Sequence, residues 1–319
     1  GIPTRDAFFH SLDGLQERFG PERVFETPVA EETLTGFALG AAVGGLVPVL
    51  HHIRVDFGII GYAQLANMIS PYSYLNMGRV PVPLTIRMVV GRGYGQGAQH
   101  SKSLHSLFAH LPGIKVVMPV TPRDAKGMLA AAIRDPNPVI VLEHRWLYWA
   151  EGEVPDGEYV APLEGARVVR EGSDISIIAT SWMVVEALKA ADVLERKQGV
   201  SVEVVDVRTL TPLDIGTLAD SVAKTGACIV ADNDWLDYGA GSEIVTRLHT
   251  YLGGSATRDW IYQVGWSPVP CPTARPLEKA MYASAVNLIR EAEMALALPD
   301  TDLSGEDFYS HERRFGGPL

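Results

Sequence analysis

The sequence predicts an α/β protein of two successive domains, each a mostly parallel sheet with packed helices. Three observations lead there. Short β-branched runs alternate with longer helical patterns, which is the punctuation of βαβ units. The runs are nearly continuous in apolar residues, as strands buried on both faces are. The alternation breaks once, between residues 146 and 174, in a stretch rich in Gly, Pro and acid, and then resumes. A chain of 319 residues also exceeds one typical domain.

The elements run in order along the chain. VPVL (47–50), PLTIRMVV (83–90), IKVVMPV (114–120) and PVIVLEH (138–144) read as parallel strands of a doubly wound first domain, residues 1–160. Between them, TGFALGAAVGG (35–45) reads as a helix whose glycines lower helix propensity but allow close packing. PRDAKGMLAAAIRD (122–135) carries Pro in its first turn. Residues 146–174 read as linker plus edge structure. A second α/β domain, 165–298, is expected from the strands ISIIAT (175–180), VSVEVVDVRTL (200–210) and ACIVADND (227–234). Its helices are MVVEALKAADVLERK (183–197), PLDIGTLADSVAKT (212–225) and a closing helix over 279–298. Residues 299–319 form a polar, aromatic tail.

Composition excludes several classes. With 27 basic and 38 acidic residues the net charge is −11, which argues against a nucleic-acid surface. Two cysteines, Cys228 and Cys271, make no disulfide framework and point to a reducing compartment. No apolar run reaches the roughly 20 residues that span a bilayer, and no signal segment opens the sequence, so a cytoplasmic protein without membrane contact is expected.

Two places carry chemistry. GRGYGQGAQHSKS (91–103) comes after a strand, and GYGQGA (93–98) loosely fits a dinucleotide-binding pattern. No helix comes at once after it, and no acidic residue closes a later strand at the usual distance, so a phosphate cradle is disfavoured. Glycines also allow close backbone approach to a ligand, and the carboxyl ends of parallel strands are where open α/β sheets bind. His100 there can exchange protons near neutral pH, against the plain alternative of a hydrogen-bonded loop histidine. Glu31 precedes a helix with almost no charge, where its carboxylate is partly desolvated and can hold or share a proton. Glu32 reads as a first-turn acid complementing the helix dipole. The other histidines form no H-E-x-x-H spacing, so no protein-ligated catalytic metal is expected.

FGPERVFETPVAE (19–31), VDFGIIGYAQLAN (55–67), GAQHSKS, PGIKVVMPVTPRDAKGMLAAAIRDPNPVIVLEH (112–144) and VDVRTLTPLD (205–214) together resemble the β subunit of the thiamine-diphosphate-dependent 2-oxo acid dehydrogenases. EHRWLYWAEGEVPDGEY (143–159) is most similar to the acetoin type. The resemblance runs from about Phe19 to about Ile289. It implies a pyrimidine-binding domain followed by a transketolase C-terminal-type domain.

It also implies roles. Glu31 matches the glutamate that hydrogen-bonds the cofactor's aminopyrimidine and favours the imino tautomer; the resulting thiazolium ylid is the cofactor's own nucleophile. Phe57 matches the aromatic beside the pyrimidine, and its plain alternative is a core Phe. His100 matches the histidine that assists proton transfer or guides the acyl group. Ala132, by its carbonyl, with Asp135 and Asn137, matches a structural potassium site; a helix C-terminal turn is the alternative. No G-D-G with a distant N-N pair occurs, so the resemblance puts magnesium and the diphosphate on an α subunit, in an α2β2 assembly that passes an acyl unit to a lipoyl domain. The sequence departs from the family at Asp232, Asn233 and Arg54. Arg54 and Lys102 are candidates for binding an anionic substrate, or for simple salt bridges and solvent. The leading expectation is therefore cleavage of a 2-oxo acid or acetoin. The alternative is transfer of a ketol unit from a ketose phosphate to a lipoyl or acyl-carrier-protein thiol. A non-enzymatic scaffold is argued against by Glu31, Phe57 and His100.

Overall fold

Ten strands sort into two five-stranded sheets in the computed structural model, which describes residues 10–92, 95–253 and 261–309. The first sheet uses β1 (Val49–His52), β2 (Thr85–Val90), β3 (Lys115–Val117) and β4 (Val139–His144). The second uses β5 (Arg167–Arg170), β6 (Ile175–Ala179) and β7 (Val202–Asp206), then β9 and β10. Between β7 and β9 (Cys228–Trp235) lies β8 (Thr209–Thr211), and β10 is Ile261–Trp266. The orders are β1-β2-β4-β3-β8 and β10-β9-β6-β7-β5. All pairings are parallel except β3 with β8 and β5 with β7. The apolar runs deliver what they promise, since every residue of β2, β6 and β7 is buried. Burial on both faces comes from helices such as Trp182–Gln198 and Ile215–Thr225 packing on opposite sides of the second sheet.

The run VSVEVVDVRTL divides where a single strand was expected. Asp206 Oδ1 accepts from the Arg208 N–H at 3.1 Å, and Arg208 turns the chain with φ +57. Beyond Arg208, β8 leaves the second sheet and pairs antiparallel with β3, through Val116–Thr211 and Val117–Thr209. A strand from the second half thus closes the edge of the first sheet. Four charged groups bracket this crossing, where Arg208 and Arg167 both reach Asp124 on the helix Pro122–Arg134 and Asp206 lies close by.

The closing helix is also two pieces, Arg275–Met281 and Ala285–Ala295. Tyr282 is extended (φ −82, ψ 130) and buried, and Ser284 with Asn287 forms a capping box that starts the second piece. Apolar periodicity running through the break hides it in the sequence. A helix at Ala240–Leu252 and the strand β10 were not anticipated. The stretch 146–174 holds the end of a 3-10 turn, Arg145–Trp149, then coil and β5, the edge strand of the second sheet, in keeping with the linker and edge structure expected. The tail begins by packing. Phe308 is buried, and Gln198 and Lys189 of the helix Trp182–Gln198 donate to the carbonyls of Pro299 and Phe308.

Candidate active site

Glu31 is the first residue of the helix Glu31–Val43 and is partly buried. Ala30 supplies no side-chain cap, so the first turn is fixed from within. The Thr35 hydroxyl donates to the Glu31 carbonyl at 2.7 Å, and His52 Nε2 lies 2.9 Å from the same hydroxyl. Because that hydroxyl proton points to Glu31, His52 donates from Nε2. Burial holds His52 at a pKa of about 4, with Glu31's charge opposing, so the ring is neutral and suited to that single donation. Gly61 completes the contact. A Cβ there would meet Thr35 Oγ1 at 2.5 Å and the Glu31 carbonyl at 3.2 Å, so only glycine lets the segment Val55–Gly61 lie this close.

That segment carries Phe57, and the structure brings Phe57 to His100. Their rings meet edge-on at 5.1 Å between centroids and 74° between planes. His100 comes directly after the short turn Gly97–Gln99 and is exposed. Its loop is pinned within one chain. A Cβ on Gly91 (φ +79) would sit 2.1 Å from His144 Nε2, and one on Gly97 (φ +68) would sit 2.7 Å from Thr273 Cγ2. The Gly95 N–H donates to Glu278 Oε1 at 3.3 Å, and Arg145 Nη1 donates to Gln96 Oε1. The Arg92 guanidinium lies over Trp146 and Tyr282, at 4.7 and 4.3 Å from their centroids. Glycines of the loop therefore seat it against residues 273–282 of the same chain. Gly93 and Tyr94, part of the GYGQGA pattern, lie outside the described residues.

Arg54 and Lys102 are placed differently from the anion-binding reading. Arg54 is 4% exposed, and its Nε donates to Asp56 Oδ2 at 2.6 Å. Its Nη2 donates to the carbonyls of Gly91 and Lys102, at 2.5 and 3.1 Å. Lys102 Nζ is 3.5 Å from Asp56 Oδ1. Lys102 Nζ and the Nε and Nη2 of Arg54 are engaged by the protein, and the buried Arg54 Nη1 has no hydrogen-bond partner among the described residues. The Arg54 pair is buried, where the plain alternative had it on the surface.

Asp135 is engaged as well. Its Oδ2 accepts from Lys115 Nζ at 2.6 Å, its Oδ1 from the Asn137 N–H and Nδ2, and the Ala132 carbonyl accepts from the Asp135 N–H at 3.2 Å. The turn's side chains are thus taken up by one another and by an ammonium group. They do not fit a further monovalent cation in this arrangement. Among the described residues no cluster of three or more His, Cys, Asp or Glu could hold a metal ion.

A second constellation escaped the sequence. His105, fully buried, places Nε2 2.8 Å from Asp232 Oδ1 and Nδ1 3.8 Å from Asp234 Oδ2. Asp232 also accepts from Thr180 and the Gly241 N–H, and Asn233 Nδ2 donates to Ser103 Oγ at 2.8 Å. Burial disfavours charge on His105, but the charge and hydrogen bond of Asp232, with the charge of Asp234, outweigh it and push its pKa up to about 9. The departure at Asp232 and Asn233 was visible in the sequence. Nothing there says that 127 residues separate partners in contact. These groups lie just after His100 and tie its loop to β9.

The helix Glu31–Val43 carries no charge beyond its first turn, yet only one face of it is buried. Ala38, Leu39 and Ala42 are buried, while Phe37 is 66% exposed and Leu46 and Val47, just beyond the helix, are 64% and 52% exposed.

Family models match twice, as transketolase pyrimidine-binding domain over residues 5–149 and transketolase C-terminal domain over 164–286. The pyruvate dehydrogenase E1 component subunit beta of Bacillus subtilis is 45% identical over 249 residues, covering 78% of this chain and 76% of that one. The beta subunit of acetoin:2,6-dichlorophenolindophenol oxidoreductase of Cupriavidus necator is 38% identical over 283 residues, covering 89% and 83%. The chain belongs to the family of 2-oxo acid dehydrogenase E1 β subunits. A solved structure described as a split-gene transketolase, inactive β4 tetramer, superposes with a TM-score of 0.73 at 24% identity, covering 94% of this chain and 90% of its own, which shows the fold alone. Family membership thus agrees with the sequence resemblance and with the two-sheet architecture. No described helix is long and apolar enough to cross a membrane.

Proposed function

We propose that this chain is the β subunit of a thiamine-diphosphate-dependent enzyme that cleaves a 2-oxo acid or acetoin and hands the acyl unit to a lipoyl arm. The observation that carries this is the meeting of His100 with Phe57, whose segment Val55–Gly61 packs against the start of the Glu31 helix. A carboxylate at a helix start, an aromatic edge and an exposed imidazole fit the aminopyrimidine end of the cofactor. When bound, thiamine diphosphate supplies the carbanion-type nucleophile.

The chain's own residues prepare and manage that chemistry. The Glu31 carboxyl would hydrogen-bond the aminopyrimidine nitrogen, and its turn is fixed by Thr35 and neutral His52. Phe57 would pack against that pyrimidine, and its edge contact limits where His100 can swing. His100 moves a proton at its imidazole to or from the reacting substrate, the task for which histidine is suited near neutral pH. Magnesium and the diphosphate are assigned to an α subunit in an α2β2 assembly, and the exposed apolar face around Phe37 supports such docking. The potassium expectation is not carried forward, because Lys115 already neutralises Asp135. Nor is ketol transfer, because the Arg54 guanidinium that suited a phosphate is buried, with Nε and Nη2 bonded to Asp56 and to the carbonyls of Gly91 and Lys102.

The test is reconstitution. The chain is mixed with its α partner, thiamine diphosphate and magnesium, and pyruvate, branched 2-oxo acids, acetoin and ketose phosphates are supplied in turn. Turnover of a 2-oxo acid or acetoin is expected. Product from ketose phosphates alone overturns the reading.

A further inference from the structure

The loop that presents His100 leaves β2 at Gly91 and comes back beside that point at Lys102, and one side chain joins the two stems. Arg54 Nη2 donates to both carbonyls at once, while the Gly91 N–H donates directly to the Lys102 carbonyl at 3.0 Å. Asp56 locks the clamp from the other side. Its Oδ2 accepts from Arg54 Nε, and its Oδ1 accepts from the Lys102 N–H at 3.4 Å and lies 3.5 Å from Lys102 Nζ. Arg54 and Asp56 are both about 95% buried, so the neck of the loop is sealed by a desolvated, planar, multiply bonded cation. The next residue, Phe57, is the one that touches the His100 ring. A stretch of four residues, 54–57, therefore fixes the loop's base and its working tip together. Among the described residues no side chain hydrogen-bonds the His100 ring, so its position is inherited from the backbone and from Phe57.

We infer that Arg54 is a positioning residue for His100, clamping the stems of loop 91–102 so that the imidazole is held at the reacting substrate. This rests on the function proposed above only in giving His100 its proton-transfer role. The clamp itself does not depend on it. Lysine cannot substitute, since a single ammonium on a flexible stem cannot bond a carboxylate and two carbonyls in one plane.

The experiment uses the assembled αβ enzyme with Arg54→Met, Arg54→Lys, His100→Ala and the two Arg54 variants combined with His100→Ala. Arg54→Met and Arg54→Lys are each expected to lower kcat about a hundredfold, the scale of a misplaced catalytic group, with cofactor affinity within about twofold. In the His100→Ala background neither is expected to lower it further, because both changes remove the same function. Hydrogen exchange of the cofactor-free assembly gives an independent reading: the amides of Gly91 and Lys102 are expected to exchange at least about tenfold faster in the Arg54 variants, with β2 and β4 unchanged. Should Arg54→Met fail to assemble, Arg54→Lys, which keeps the charge beside Asp56, carries the same comparison. Wild-type kcat in Arg54→Lys, an equal loss with and without His100, or unchanged exchange at 91 and 102 overturns the inference. If the wild-type assembly turns over no 2-oxo acid or acetoin, the functional reading fails while the exchange comparison still decides the clamp.

Discussion

Replacing Asp232 by Asn tests the buried bridge between the His100 loop and β9. The substitution keeps shape and removes the charge 2.8 Å from His105 Nε2. Breaking a buried ion pair commonly costs about 3–5 kcal/mol because a charge is stranded. Here the stranded partner can shed its proton, and that limits the cost. His105 rises from 6.5 unfolded to about 9 folded, so its protonation stabilises the fold by about 2–3 kcal/mol at pH 7. The sign comes from the raised value: the stabilisation is complete below pH 6.5 and is lost as pH climbs through about 9. Asp232, lowered by the same pair despite burial, contributes in the opposite sense, with its share lost in acid below its ordinary range. Urea unfolding of wild type and Asp232→Asn, followed by tryptophan fluorescence from pH 6 to pH 10, measures this. With Asp234 still beside His105, the expected result is a loss of up to about 2–3 kcal/mol in the variant at pH 7 that shrinks towards pH 10, where the wild type has lost the same contribution. A deficit that is constant across this range would refute a protonated His105 as the source of the bridge's strength.

Three further substitutions have simpler readouts. Gly91→Ala puts a Cβ into the left-handed region and against His144, which is stacked on Trp182, so a loss of about 2–5 kcal/mol in a denaturant titration is expected. Phe37→Asp leaves the melting of the isolated chain unchanged, because the side chain is 66% exposed, and abolishes co-elution with the α subunit in size-exclusion chromatography. Ser284→Ala removes the capping box of the helix Ala285–Ala295 and is expected to cost about 1 kcal/mol by thermal unfolding.

The sequence made the parallel strands legible because burial on both faces leaves a run such as TIRMVV with almost no polar alternation. It also marked Glu31 and His100, since a carboxylate before an uncharged helix and a histidine after glycines are local signals, whereas Phe57 came only from the family resemblance. It did not show β8 leaving one sheet for the other, because the turn depends on Arg208 at positive φ and on an Asp206 hydrogen bond, and neither residue type announces a break. Nor did it reveal the use made of Arg54. A cation two residues from an acid reads as a surface pair, and only the fold brings the carbonyls of Gly91 and Lys102 to the same guanidinium. His105 was hidden for the same reason: its partners lie on β9, and contact across that separation leaves no local pattern.

In the function proposed above, Glu31 activates a thiamine cofactor at a site this chain shares with an α subunit. Exchange of the cofactor's thiazolium C2 proton for deuterium, measured by quenched-flow NMR in the assembled enzyme, tests it most directly. In wild type the exchange is expected to be fast relative to turnover, and in Glu31→Gln slower by about a hundredfold or more, with the assembly and its melting temperature preserved. Equal exchange rates in the two proteins would contradict the account.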